Sequence, residues 1–546
     1  MKIVLAALVA APLFASSFCS KYSEGVNGRQ LLTSRWQERD VAADRIVERR
    51  APRYFVEHSP VSSEQIVEVC APKAAMVFDL LASRKVMDRF DDGDDEGAQD
   101  EVFTLIENGN VKNRINLVFM GDGYTANEKE KFLTDMKRLT AQIFESKTFA
   151  SYLPIFNVFA VFRPSHESGI GKNDTPKDTA FKLYRQGDTL RAIFTGNATA
   201  AHDACSKAPG CDYPILIGND PHYGGLGGEF SISTSSPRSG MVVLRHELGH
   251  SVGEIGEEYD GGGYFGANHS YSVSSLGWSH WTDGSVAEEP SVARNVSWPW
   301  VNLSKGPYTA KMTSDGKWDS LFMTISLSGL QTSDDVVVKL DGEQLPIDSE
   351  QQADRKFYDF KIEQGFSSGT HQLTFEEKVH DGDNWVSNIT VHEFKKEYNF
   401  DSNHIGAYPL FQGSRREGYR PTHNTCLMRN MMSDQFCPVC KENNWIKFFA
   451  TVSMIDSIES HAETTGQRVF VKTQPLGQFR HDGRGEGQYI AIRWYKDGEL
   501  QSEFLDQTEI VVTEPSAKWE VEVELTTPEV RKDLNGVLKA RRKVTF

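Results

Sequence analysis

Two histidines four residues apart, with a glutamate directly after the first, are the residues of this chain best suited to hold a metal ion and use it: His246-Glu247-Leu248-Gly249-His250. On a helix their imidazoles project one turn above each other and can reach a common ion at the roughly 2.0–2.1 Å that zinc requires. Glu247, one step round, then addresses a water whose pKa the ion brings towards neutrality, and serves as general base. Met241, Leu244, Leu248 and Val252 recur at three- and four-residue intervals, so the stretch reads as a helix with one apolar stripe against a core. A catalytic zinc takes three side chains and keeps a fourth position open, so one ligand remains to be found. Gly253 can end the helix in a left-handed conformation and turn the chain back under the ion. The residue three beyond it is Gly256, which has no side chain, and Glu257 and Glu258 follow. Glu258 is the expected third ligand, with Glu257 the close alternative and His269 a more distant one. The competing account of Glu254, Glu257 and Glu258 is a solvated acidic turn.

Taken together these residues resemble the IgA-peptidase family of zinc metallopeptidases. That family pairs His-Glu-x-Gly-His with a glycine, then an acidic pair and a tyrosine, here His246 to His250, Gly253, Glu257, Glu258 and Tyr259. Gly121-Asp122-Gly123-Tyr124, Phe156-Asn157-Val158, Tyr223-Gly224-Gly225 and Cys426-Leu427-Met428-Arg429 are similar to further pieces of it, over roughly residues 100–290 and 400–455. The resemblance implies a zincin/metzincin-like catalytic domain of α/β (α+β) class. It also implies a methionine in a turn beneath the metal, for which Met428 is the candidate and Met431 the alternative. The first acid of the pair is more often aspartate in bacterial members and is glutamate here, which tilts the expected ligand towards Glu258. Tyr259 and Arg429 are candidates for stabilising the developing oxyanion. The family is named for one selective substrate, and nothing in this sequence ties the chain to immunoglobulin.

The elements that must position these residues follow from periodicity. Ile115 to Met120 reads as an apolar strand, Gly121 to Tyr124 as a turn, and Asn127 to Ser146 as a helix with Phe132, Met136, Leu139 and Ile143 on one side. Asp122 is read first as a turn residue and second as a group near the site. Phe156 to Phe162 and Pro214 to Ile217 are strands, and Thr189 to Phe194 is a short helical segment. Tyr223 to Gly228 is a glycine loop, followed by a strand from Phe230 to Thr234 whose place before the metal helix suits an edge that pairs with a substrate backbone. Between 305 and 397 the period becomes two, with a hairpin turn at Asp341-Gly342, which predicts an inserted β-sandwich. Asn443 to Ile458 reads as a closing helix. From 463 to 546, alternation at Ile490, Ile492 and Trp494 and at Trp519, Val521, Val523 and Leu525 predicts a C-terminal immunoglobulin-like sandwich.

At 546 residues the chain is too long for one core, and 39% hydrophobic with 25% charged residues is an ordinary globular balance. A net charge of -17 argues against nucleic acid or an anionic membrane as partner. Residues 1–19 read as a secretory signal, 20–100 as a leading domain or propeptide with an acidic linker at its end, and 101–304 and 398–462 as the two parts of the catalytic domain. No later run is long enough to span a bilayer. Export fits the seven cysteines, with Cys19 at the cleavage region, Cys205 and Cys211 closing a short loop, Cys426, Cys437 and Cys440 clustered, and a disulfide favoured for Cys437-Pro438-Val439-Cys440. Sequons at Asn173, Asn197, Asn268, Asn295, Asn302 and Asn388 fit it as well. No Gly-x-Ser-x-Gly elbow supports a serine triad. The expectation is a secreted, zinc-dependent endopeptidase of extracellular proteins or peptides; the alternative is a secreted protein- or glycan-binding protein with an inert metal site.

Overall fold

Residues apolar at nearly every position, as in Ile115–Asp122 and Phe156–Phe162, make strands that are covered on both faces. The computed structural model describes residues 100–546, except 285, 349–352 and 380, and the backbone of five strands within residues 18–71. Glu101–Ile106 (β1), Ile115–Asp122 (β2), Phe156–Phe162 (β3), Tyr213–Gly218 (β4) and Ser231–Thr234 (β5) form one sheet in the order β5-β4-β2-β3-β1. Only β1 runs antiparallel to its neighbour. The helices described are Lys129–Glu145 (α1), Ala198–Cys205 (α2), Gly240–Ser251 (α3) and Pro438–Phe449 (α4).

Alternation along the central strands divides the core. Leu117 and Phe119 of β2 and Val158 and Ala160 of β3 pack with Phe132 and Met136 of α1, Leu244 and Leu248 of α3, and Trp445 and Phe448 of α4. Val118, Met120, Phe159 and Val161 point the other way, onto Ala201 and Ala204 of α2 and onto Leu183 and Ile193 of a small hairpin. Helix α3 is thus fixed by the stripe its sequence displays.

After this α/β part, two sheets face each other across a separate core. One has the order Ser291–Ser297, Trp385–Phe394, Ser320–Ser328, Lys356–Ile362; the other runs Tyr308–Asp315, Ser368–Glu377, Val336–Leu340, Glu343–Gln344. Met323, Ile325, Val338, Leu373 and Phe375 lie between them. Asp341 and Gly342 have φ of 50° and 93°, the double left-handed turn that the Asp-Gly pair favours in a hairpin. The last strands, from Ile455–Glu463 to Lys539–Lys543, form a three-stranded and a four-stranded sheet whose apolar faces continue the core that contains α3. The protein is therefore of mixed α/β class, with many sheets and few helices. No described helix is long and apolar enough to cross a membrane.

Several boundaries differ from the sequence reading. Thr189 to Phe194 is not helical: Ile193–Thr195 pairs with Leu183–Arg185, and six residues are too few to bury a helical stripe. The helix nearby is α2, capped by the Asn197 side chain, which accepts from the Ala200 amide at 3.1 Å. The closing helix begins earlier than expected, because Pro438 occupies its first turn, and a strand already starts at Ile455. Of the sequons, Asn268 and Asn388 are buried and Asn173 is exposed, so the first two offer no glycan acceptor.

The chain divides into two units, Met1–Asp95 and Glu96–Phe546. In the first unit Phe18–Glu24 pairs antiparallel with Arg29–Asp40 and with Glu68–Ala71, Cys19 opposite Cys70. The helical patch expected at 74–86, the acidic run at 91–96 and most of the expected signal segment lie outside the described residues.

Candidate metal centre

Helix α3 carries His246 and His250 with their Nε2 atoms 3.1 Å apart. The carboxylate beside them is that of Glu257: Oε1 is 2.9 Å from His250 Nε2 and Oε2 is 3.2 Å from His246 Nε2. A tetrahedral ion at about 2.0–2.1 Å from nitrogen and oxygen would space its ligand atoms by about 3.3 Å, and the two Nε2 atoms and one oxygen of Glu257 lie within 4.8 Å of one another, close enough to share one. Glu257 Oε2 is buried and accepts no hydrogen bond, a costly arrangement that a cation would relieve. Both Nδ1 atoms are turned to backbone carbonyls, His250 to Ile255 at 2.7 Å and His246 to Leu427 at 3.4 Å. With the proton held there, each Nε2 is left as a lone-pair donor. Burial by itself would lower both imidazole pKa values, but the Glu257 carboxylate raises them, that of His250 to about 9. Against its own burial, Glu257 is pulled well below the usual carboxylate range by the two histidines.

Glu258, the ligand expected from sequence, is not in this group. It is fully buried on the far side, with Oε1 3.0 Å from Asn268 Nδ2 and 3.4 Å from Cys440 Sγ, and burial raises its pKa well above normal. The reason lies in how the chain leaves the helix. Glu254 N donates to His250 O, the bond of an αL ending, Ile255 N reaches back to Gly249 O, and the left-handed residue is Glu254 with φ of 51°, not Gly253. Gly253 is required for another reason: a Cβ there would lie 2.4 Å from Asn444 Oδ1 and 2.8 Å from Gly249 O. Beyond this turn successive amides face opposite ways, Glu257 N to Gly263 O and Glu258 N to Met428 O, and the two side chains diverge accordingly. His269 stacks on Tyr264 with centroids 5.5 Å apart and stays outside the cluster.

Glu247 lies under the glycine loop. A Cβ on Gly227 would be 2.6 Å from Glu247 Oε2, so only glycine lets the loop pass this close. Burial raises the Glu247 pKa, which the two histidines partly offset. The loop is held rather than free: Arg185 donates to Tyr223 O at 2.7 Å and to His222 O at 3.1 Å, and Leu226 exchanges both backbone bonds with Ile232. That exchange occupies the outer edge of β5 at Ile232, the edge expected to be open for a substrate backbone. Met428 is buried beneath α3, its Sδ 2.9 Å from where a Gly249 Cβ would be. Arg429 is bound to Asp260 Oδ2 at 2.5 Å and to Glu258 O at 3.2 Å, which removes it from the oxyanion role. Tyr259 does reach the site, its hydroxyl 3.0 Å from Glu257 Oε1 and its ring stacked near His246. Asp122 is a loop organiser, accepting from Phe181 N, Leu183 N and Thr179 Oγ1 at 2.6–2.8 Å.

Sequence reasoning missed the contribution of the inserted sandwich. Arg355 lies 4.8 Å from the Tyr223 ring centroid, 4.8 Å from Phe357, 4.9 Å from Trp300 and 5.8 Å from Trp298, and Trp298 in turn meets the Tyr259 ring at 5.5 Å. Burial raises the Tyr223 phenol to about 12, Arg355 opposing and Glu247 and Glu257 adding to the rise. Asp354 accepts from Ser239 Oγ at 2.7 Å and from the Tyr223 amide, tying the sandwich to the start of α3. The aromatic pair Trp298 and Trp300 was a visible signal; Asp354 and Arg355, remote in sequence and without a motif, gave none.

Residues 103–276 match the model of the IgA peptidase M64 family. The chain carries an IgA-peptidase-family metallopeptidase segment. The match runs from within β1 to beyond α3, takes in His246, Glu247, His250, Glu257 and Glu258, and stops before the inserted sandwich. No curated protein matches the sequence. Among solved structures, a ruminal GH26 endo-β-1,4-mannanase aligns at 14% identity over 20% of this chain and 22% of its own, with a TM-score of 0.15. An exo-β-1,3-galactanase from Phanerochaete chrysosporium aligns at 19% identity over 20% and 30%, with a TM-score of 0.13. The adhesin domain of Epf from Streptococcus pyogenes aligns at 13% over 44% and 70%, with a TM-score of 0.11. Likeness this weak carries no argument about fold or activity.

Proposed function

We propose that this metallopeptidase is a secreted zinc endopeptidase that cuts peptide bonds within extracellular proteins. The observation that carries the reading is the convergence of His246 Nε2, His250 Nε2 and the buried Glu257 carboxylate, with Glu247 on the same helix beside them. Two imidazoles and one carboxylate are a donor set that suits zinc and leaves a fourth position for chemistry. Zinc, when bound, lowers the pKa of a water and polarises the scissile carbonyl. Glu247, its pKa raised by burial, takes the proton of the attacking water and returns it to the leaving amine. Tyr259 is the donor we assign to the carbonyl oxygen as it gains charge, since its hydroxyl already lies beside the ligand carboxylate. Export is supported by the apolar run from Ile3 to Phe14 and by the disulfide Cys205–Cys211, which needs an oxidising compartment.

Glu247→Ala tests the reading with a peptide library read by mass spectrometry. The expected result is internal cleavage by the wild type, abolished by chelator, and a fall in turnover of at least about 10²-fold in the variant at unchanged zinc content. Cleavage only at peptide ends, or equal turnover in the variant, would remove the proposal; a binding protein with an inert site would show no turnover in either.

A further inference from the structure

Directly behind the histidine site lies a second cluster: Cys426, Cys437, Cys440 and Glu258, all with no exposed surface. We propose that these four side chains hold a second, structural zinc ion. The geometry points to it: all four ligand atoms lie within 4.8 Å of one another, and three of the separations match a tetrahedral ion. With Zn–S of about 2.3 Å and Zn–O of about 2.0 Å, a tetrahedral ion separates two sulfurs by about 3.8 Å and a sulfur from an oxygen by about 3.5 Å. Cys426 and Cys440 Sγ are 3.7 Å apart, and Glu258 Oε1 is 3.4 Å from Cys440 Sγ and 3.8 Å from Cys437 Sγ.

The chemistry of the alternatives is poorer. Three thiols cannot all enter disulfides with one another, and the three cysteines are free here, contrary to the bridge expected for Cys437 and Cys440. Cys205 and Cys211 are already paired. A protonated Glu258 among thiols would still leave Oε2 buried with no hydrogen bond, a cost that a cation removes. Arg420 acts on Glu258 only through space, with its guanidinium donating to Pro409 O and His423 O, and Arg429 reaches the Glu258 backbone carbonyl and the Asp260 carboxylate. Cys437 caps α4, where free amides and the helix dipole favour a thiolate. Thiolates select zinc over harder divalent ions, and four protein ligands close the site to substrate, which makes the ion structural.

The site stands independently of the proposed peptidase, but one consequence rests on that reading. Glu258 directly follows Glu257, and Cys426 directly precedes Leu427, whose carbonyl faces His246 Nδ1. The second ion would therefore brace both segments that place the first.

The test counts metal and thiols on the full chain purified under reducing conditions without chelator. Two zinc ions per chain are expected, one in His246→Ala/His250→Ala, and one in Cys437→Ser/Cys440→Ser. In the histidine variant, cobalt exchanged for zinc should show thiolate-to-metal charge-transfer absorption, and thiol reagents should find the three cysteines protected until the protein unfolds. A histidine variant with no bound metal and no such absorption overturns the proposal, as does a disulfide between any two of the three cysteines. Should the cysteine variant fail to fold, the histidine variant decides alone. Absent peptidase activity with two ions bound would sink the functional reading and leave this one standing.

Discussion

Changing Glu257 to Gln removes the carboxylate between His246 and His250, and the pH dependence of zinc binding should report it. In the metal-free protein burial alone would hold His250 below its ordinary 6.5, and Glu257 at 2.9 Å raises it to about 9. At pH 7 a proton must leave His250 before zinc can bind, at a cost of about 2.7 kcal/mol, two tenfold steps at about 1.4 kcal/mol each. Wild-type affinity should therefore climb close to tenfold per pH unit from 7 and level off near 9. In Glu257→Gln the imidazole loses its counter-charge, so the climb disappears. Affinity also falls by more than the roughly 10–100-fold that loss of an outer partner costs, since a charged ligand is gone. The gap between the two proteins should widen about 100-fold from pH 7 to 9. Glu258→Gln should keep the steep limb. Imidazole NMR resonances give both occupancy and titration at this site in one experiment. The same proton sets a stability trend in the metal-free protein. A raised folded pKa stabilises fully below 6.5 and is lost as pH rises through about 9, from 6.5 to 9 a loss of about 3 kcal/mol. The zinc-loaded protein should show the reverse. A flat wild-type limb, or steepness lost in Glu258→Gln rather than Glu257→Gln, would refute the assignment of the ligand.

The remaining predictions concern the scaffold around the site. Gly253→Ala should destabilise by about 1–3 kcal/mol in urea unfolding, because its Cβ meets Asn444 and Gly249 O. Glu254→Gly should be neutral or stabilise by up to about 1 kcal/mol by relieving a left-handed glutamate; the opposite order would contradict the described helix ending. Gly227→Ala should displace Glu247 and lower kcat about 100-fold at unchanged zinc content, and unchanged kcat would separate the loop from the base. Asp354→Ala leaves Ser239 Oγ and the Tyr223 amide without their acceptor and should cost about 1–3 kcal/mol in thermal unfolding while raising KM for peptides. A fall in Tm with KM unmoved would confine the sandwich to a structural role.

What could be read in the chain is what local periodicity encodes. The stripe Met241, Leu244, Leu248 and Val252 fixed which face of α3 meets the sheet, and β2 and β3 were found within two residues because their apolar runs are uninterrupted. Thr189 to Phe194 failed for the same reason the others succeeded: a six-residue apolar patch satisfies a hairpin as readily as a helix. Asp354 and Arg355 reach the site from another sheet and leave no periodic mark.

The choice between Glu257 and Glu258 shows where spacing stops and space begins. Counting residues from Gly253 assumes that this glycine makes the turn, whereas Glu254 makes it and Gly253 serves packing against Asn444. From there an extended segment sends neighbouring side chains to opposite sides, so two adjacent glutamates cannot serve one ion. One faces the two histidines at 2.9 and 3.2 Å. The other faces three cysteines gathered from a turn and a helix start far along the sequence. Those cysteines were visible as a cluster but not as partners of Glu258, because only the fold brings the turn at Cys426 beneath the segment that leaves α3. An acidic pair that looks redundant in the sequence is therefore two single residues, each committed to its own side of one loop segment.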